Sequence, residues 1–383
     1  MRKTTIVCGL LAVFAATASA NPVHFSTGAP DGKMAMATHP ASSATAADEN
    51  EAADDFILTD PVTDISHFTF TGLVPAGSSA SEVAVEIYRV FPANSKNPPS
   101  GRVPTRTNSP ADDALVVRDS ATLELTFKQN TVASSFSALN SVSKGIHAQP
   151  NQTTGGEGAV SGTEVSFDVT LAKPIRLEAG HYFFVPQVKL SSGEFFWLST
   201  PKPIGADGTP FTGDLQAWIR NSGLDPDWLR VGSDIVGGAT PPTFNGAFAF
   251  DGTSSPFSIV PGITGAWFNQ NQSGHGFQLE VLPGNLALMY WYTFDAAGNQ
   301  AWIAGVGQIT GNQATVPAVL VQGGRFPPNF DPTKITKPAW GTVTFTFSGC
   351  NAAHAEWTST AAGFGNGGMD LTRLTQVDTL ACP

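Results

Sequence analysis

The chain of 383 residues has only three cysteines, and only 13% of it is Asp, Glu, Lys or Arg, roughly half the usual share for a globular protein. No CxxC pair and no clustered His accompany the cysteines, which argues against a thiolate metal site. HExxH, EF-hand, P-loop and dinucleotide-binding fingerprints are missing, so the motifs predict no metal and no cofactor. The 20 basic residues are outnumbered by 31 acidic ones. Phosphate binding needs a basic face, so a nucleic-acid partner is not expected. The chain also lacks an apolar run long enough to cross a bilayer, and no membrane span is expected.

What is present begins with a leader. "MRKTTIVCGLLAVFAATASA" has a charged start at Arg2 and Lys3, a short apolar stretch and the small-residue site Ala18–Ala20, the pattern of a secretory signal. Residues 1–20 are read as a signal peptide cleaved after Ala20, which predicts a secreted or periplasmic protein. Losing Arg2 and Lys3 lowers the net charge by two, from −11 to −13. Cleavage also removes Cys8 and leaves Cys350 and Cys382. An even pair in an exported chain predicts one disulfide, tying the C-terminal tail to its domain.

The remainder divides into two all-β units. Residues 21–50, running into "ASSATAADENEAADD" from Ala41 onward, read as a disordered Ala/Ser/Thr-rich linker. Residues 51–252 carry "HFTFTGL", "EVAVEIYRVF", "TLELTF", "EVSFDVTL", "HYFFVPQVKL" and "EFFWLST", short strands separated by Asn-, Pro- and Gly-rich turns. They predict an antiparallel β-sandwich. The Pro-rich segment 93–113 is an ordered loop or a mobile flap. One short helix is expected in "TGDLQAWIRNSG", where Leu215, Trp218 and Ile219 stand at i, i+3 and i+4 between Asp214 and Gly223. The boundary is placed near residue 253. Residues 253–383 read as eight strands, 263–269, 275–282, 285–294, 299–308, 312–321, 341–347, 352–358 and 367–374. Their short turns suit an up-and-down β-barrel, with Gly305 and Gly307 relieving crowding and one long insertion at 322–339.

The stretches "ADDFIL", "VEIYRVFP", "NQTTGGEG", "HYFFVPQVKLSSG" and "DWLRVGSDIVGG" resemble a recurrent domain of exported bacterial proteins, over roughly residues 50–250. "GAWFNQNQSGHGFQLEVLP", "YWYTFDAAGNQAWIAGVG" and "GGMDLTRL" resemble a widespread exported bacterial module, over roughly 262–382. Both resemblances imply export and β-structure and carry no chemistry. The opening Gly-x-Trp and the strand count give the second unit a similarity to avidin-type eight-stranded barrels, without biotin contacts at named residues.

Candidate chemistry is sparse. Ser273 and His275 in "QSGHG" either cap a hairpin or join an acid such as Asp295 or Glu280, but the strand–turn–helix setting of a nucleophile elbow is absent. Asp54 and Asp55 are either an N-terminal charge pair or two of the 6–8 oxygens a calcium ion takes. His354 and Glu356 share a strand face, as a polar stripe or an acid/base pair. The aromatic residues say more. Tyr290 and Tyr292 face one side of their strand and Trp291, with Met289, the other, so one of the two sides is core and the other is covered or is a surface. His275, Trp291, Trp302 and Tyr292 are the candidate ligand-binding residues. Phe277, with Trp267, is expected in the core.

Export, two β-units, low charge and aromatic faces predict a non-catalytic binding protein for carbohydrate or a cell-surface polymer. The alternatives are an exported hydrolase acting on polysaccharide, which needs two carboxylates facing one cleft, and a purely structural surface protein.

Overall fold

The computed structural model describes residues 20–41, 49–91, 98–146, 149–201, 215–380 and 382. The expected signal peptide lies, but for Ala20, outside them. The protein is nearly all β. Among the described residues no helix is long and apolar enough to cross a membrane.

The N-terminal unit contains β1 (Asn21–Ser26), β2 (Met34–Ala37), β3 (Asn50–Val74), β4 (Ala80–Arg89), β5 (Val116–Asp119), β6 (Leu125–Ala138), β7 (Asn140–Val142), β8 (Val160–Leu190), β9 (Phe196–Thr200), β10 (Trp218–Asn221), β11 (Leu229–Arg230), β12 (Asn245–Gly246) and β13 (Phe248–Ser255). Its sheet runs β5-β4-β8-β3-β9-β2-β7, with β6, β10 and β13 attached alongside. All pairs are antiparallel except β2 with β7.

The two longest strands, β3 and β8, pair along nearly their whole length, from Asp54↔Phe184 to Val74↔Thr163. Register shifts between Leu58 and Val62 and between Ile65 and His67 interrupt the ladder, and such bulges bend a strand. The bent hairpin folds its own faces together. Phe68, from one half, stacks on Phe184, from the other, at 4.9 Å between ring centroids. Phe248, paired with Phe70, stacks on Phe184 at 4.9 Å. Alternating aromatic side chains thus form the shared core of a β-sandwich.

Two expectations for this unit are corrected. Residues 21–41 are not a disordered linker. Val23 and Phe25 of β1 pack on the core, β1 pairs with β13 from Asn21 to Ser26, and Met34 to Ala37 of β2 are fully buried. The low-complexity composition that suggested disorder belongs to residues 41–50, and 42–48 lie outside the described residues. The helix expected around Leu215 is strand β10, antiparallel to β3. Ala217 and Ile219 enter the main core, whereas Leu215 and Trp218 enter a second cluster with Tyr88 and Trp228. A strand buried on both faces has no polar alternation, and its apolar run fell by coincidence on helical spacing. The helical turn of this unit is instead a six-residue π-type segment, Val231–Val236. Of the Pro-rich segment, residues 98–113 are anchored by Val103, Arg106 and Ser109, all buried.

β13 stays paired with β3 as far as Ser255, two residues beyond the expected boundary. Phe257 and Ile263 then bury against the second core. That core lies inside a closed barrel of β14 (Gly265–Phe268), β15 (Gly276–Leu282), β16 (Leu286–Phe294), β17 (Gln300–Thr310), β18 (Gln313–Leu320), β19 (Ala339–Phe347), β20 (Ala352–Ser359) and β21 (Gly367–Arg373). Each strand is antiparallel to the next, and β21 closes on β14 through Trp267↔Arg373, so no edge is left open. The β15–β16 turn is the three residues Pro283 to Asn285, in which Gly284 and Asn285 have φ of 81° and 57°, the left-handed region that Gly and Asn enter most readily. A Cβ on Gly305 or Gly307 would run into the carbonyl oxygens of Pro317 and Thr315 on β18, so these glycines allow β17 and β18 to approach. Cys350 and Cys382 are bonded, with Cα atoms 5.9 Å apart.

Candidate binding surface on the barrel

Alternation on β15 sends Phe277 and Leu279 inward, and on β16 sends Ala287, Met289 and Trp291 inward. Trp291 is packed by Phe277 at 4.7 Å, Trp357 at 4.8 Å and Trp340 at 5.6 Å between ring centroids. The barrel around Trp291 is therefore filled by its own aromatic side chains. Trp267, also buried, donates its indole N–H to the Ile263 carbonyl at 3.0 Å.

The same alternation sends Tyr290, Tyr292 and Phe294 of β16 outward. Register sets Tyr292 opposite Trp302 of β17, and their rings meet edge to face at 6.1 Å. Tyr292 is 50% exposed and Trp302 62% exposed. Tyr290, Phe294 and Val306 extend this exposed apolar face. The 322–339 insertion adjoins it, since Val321 donates its N–H to the Trp302 carbonyl at 3.1 Å. A bridge between Gln322 and Thr336 closes the insertion, and Phe326 and Phe330 stand exposed on it.

Between β14 and β15 the loop folds on Asn269. Its side-chain oxygen accepts the Asn271 N–H at 2.8 Å, and its amide donates to the Asp370 carbonyl at 2.9 Å. This local pairing satisfies a polar loop without burial. His275 follows, half-buried at the strand mouth. Its Nδ1 accepts the Trp291 indole N–H at 3.3 Å. An indole N–H is only a donor, so the neutral ring carries its proton on Nε2, which donates to Gln272 Oε1 at 3.2 Å. Burial holds the His275 pKa below its ordinary value. A groove of about 520 Å³ opens here, lined by Phe268, Ser273, His275, Gln278, Tyr292 and Leu374.

Of the four candidate residues, the structure brings Tyr292 and Trp302 together and places His275 in the groove that Tyr292 also lines. Trp291 is the exception. Its side chain is 4% exposed because its side of β16 is the barrel core, and it is connected to the groove through its hydrogen bond to His275. Ser273 also lines the groove. Asp295 instead caps its own turn through the Ala297 and Asn299 N–H groups, each at 2.9 Å. His354 pairs with Asp370 across strands at 2.7 Å, and Glu356 is exposed beside it. That pair is a solvent-facing polar stripe.

The sandwich holds polar groups that the sequence did not single out. The Arg220 guanidinium grips the Glu51 carboxylate. The Tyr88 hydroxyl lies 2.8 Å from both Glu51 and Glu86, and Gln187 donates to Glu86 at 3.1 Å. All five side chains are buried. Burial first, then the neighbouring Glu51 charge, push the Glu86 carboxyl up from 4.5 to about 7. Asp54 and Asp55 are fixed nearby. Asp54 accepts the Gly246 N–H at 2.8 Å, and Asp55 accepts from His181 at 2.6 Å and from the Leu215 N–H at 3.0 Å. Adjacent strand residues point to opposite faces, so these carboxylates form neither an exposed charge pair nor one calcium site. Among the described residues, the donors close enough to share a metal ion are Glu178, Cys350 and Cys382, and those two sulfurs are bonded to each other.

Compared with known proteins, the chain matches no family model, no curated protein and no solved structure.

Proposed function

We propose that this is an exported, non-catalytic binding protein whose barrel holds a carbohydrate or cell-surface polymer against its outer face. The observation that carries the reading is the Tyr292–Trp302 pair, two large rings in contact and at least half exposed on a rigid ladder. Flat aromatic faces bury the apolar side of a sugar ring at small cost in side-chain entropy. Neighbouring exposed aromatic side chains of this kind are a common mark of a binding surface. The His275 groove continues from Tyr292 and adds hydrogen-bonding groups at its edge. Export accords with the leader and with β1, whose first residue, Asn21, is the first after the expected cleavage point.

The hydrolase alternative has less behind it. Glu51 and Glu86 approach one another through Tyr88, but both are buried and engaged by protein groups, whereas hydrolysis needs an open cleft between two carboxylates. The test is depletion of the oxidised protein from solution by a panel of insoluble polysaccharides, repeated with Trp302→Ala. Depletion by at least one polymer, lost in the variant, supports the reading. Equal behaviour of the two proteins refutes the placement of the site.

A further inference from the structure

The junction of the two units holds a second, more enclosed cleft, of about 310 Å³, lined by Arg89, Arg176, Glu178 and Tyr182 from the sandwich and by Asn351 and Arg373 from the barrel. In a chain with 20 basic against 31 acidic residues, three guanidinium groups converge here on one lining carboxylate.

The three arginines differ in what compensates them. Arg176 makes a two-point ion pair with Asp64, at 2.9 and 2.8 Å. Arg373 spends its N–H groups on backbone oxygens, those of Thr375 at 3.0 Å, Cys350 at 3.3 Å and Thr264 at 3.5 Å. Carbonyls orient the group without cancelling its charge. Arg89 stands at the exposed end of β4, 5.8 Å from the Tyr182 ring centroid. Among the described residues, neither Arg89 nor Arg373 has a carboxylate within 4.0 Å. Glu178 occupies itself across the junction, accepting the Cys350 N–H at 2.7 Å. If the arginines served only to join the units, Arg89 or Arg373 would be expected to close on Glu178. Instead the backbone bond makes that link, and the Glu178 charge acts on both Arg89 and Arg373 without pairing with either, so two guanidinium charges face one carboxylate in the lining of the cleft.

We propose that this cleft binds a small ligand bearing an oxyanion, with Arg89 and Arg373 as its counter-charges and the Tyr182 and Leu115 side chains as an apolar wall. Guanidinium forks match carboxylate, sulfate and phosphate geometry. The volume sits at the lower end of the range for small-molecule pockets, roughly 300–1,000 Å³. A concave lining in which one sign of charge predominates raises the local concentration of the opposite ion. The site is separate from the Tyr292–Trp302 face and stands or falls independently of it.

Isothermal titration of the full oxidised protein tests it, with sodium galacturonate, sodium sulfate and neutral galactose at constant ionic strength. A saturable response to galacturonate or sulfate, absent with galactose, is expected. Response to galacturonate alone identifies a sugar acid, and response to both identifies a simple oxyanion site. Arg89→Ala, at an exposed position where folding is checked by its melting curve, should weaken binding about tenfold, the loss of one charge-assisted hydrogen bond. No saturable response to either anion, an equal response to galactose, or unchanged affinity in Arg89→Ala overturns the proposal.

Discussion

Trp291 donates its indole N–H to Nδ1 of His275 at 3.3 Å, so a ring at the mouth of the barrel is held by a ring inside it. His275→Ala therefore does more than clear a loop. It removes an acceptor from a partly buried donor and should cost about 1 kcal/mol of stability, read as a lowered urea midpoint. Polymer binding should weaken as well. An unchanged midpoint would show that this hydrogen bond contributes nothing net.

Phe277 lies at the centre of the packed barrel, 4.7 Å from Trp291 and 5.0 Å from Phe345 between ring centroids, and 2% exposed. Phe277→Ala should lose roughly 3–5 kcal/mol in chemical denaturation. A loss under about 1 kcal/mol would contradict so filled a core.

Cys350 and Cys382 close a loop across a sequence separation of 32. In the chain-entropy account such a link stabilises the fold by ~3–4 kcal/mol. Denaturation with and without reductant should differ by that order. Alkylation of both thiols in unreduced protein would remove the premise.

Glu86 makes part of the stability depend on pH. Its folded pKa is raised from 4.5 to about 7, so the native state holds this proton more tightly than the unfolded chain. The stabilising contribution is complete below the lower value and is lost as pH rises through the upper one. Wild type should lose on the order of 2 kcal/mol more than Glu86→Gln across that window. Parallel stability curves for the two proteins would show that Glu86 does not titrate there.

The barrel was legible because its strands are half-buried. Period-2 alternation marks each of them, and β16, expected at 285–294, is found at Leu286–Phe294. The same alternation separated Tyr290 and Tyr292 from Trp291, although both faces are aromatic and sequence could not tell which was the core. Closure decides it, because only the inward face can be filled. Strand β10 was misread because both its faces are buried and it lacks alternation. The Glu51–Arg220 pair was missed because its members stand 169 residues apart and meet only through the pairing of β3 with β10. The arginine cleft likewise draws on β4, β8 and β21, and no local pattern joins them.

The central claim is that the exposed Tyr292–Trp302 pair binds a polymer. The most direct measurement is affinity electrophoresis of wild type and of a Tyr292→Ala, Trp302→Ala double variant through gels carrying the polysaccharide that depletes the wild type. The account predicts retardation of wild type and free migration of a double variant with an unchanged melting temperature, since both side chains project from the outer face. Equal retardation of the two proteins would contradict it.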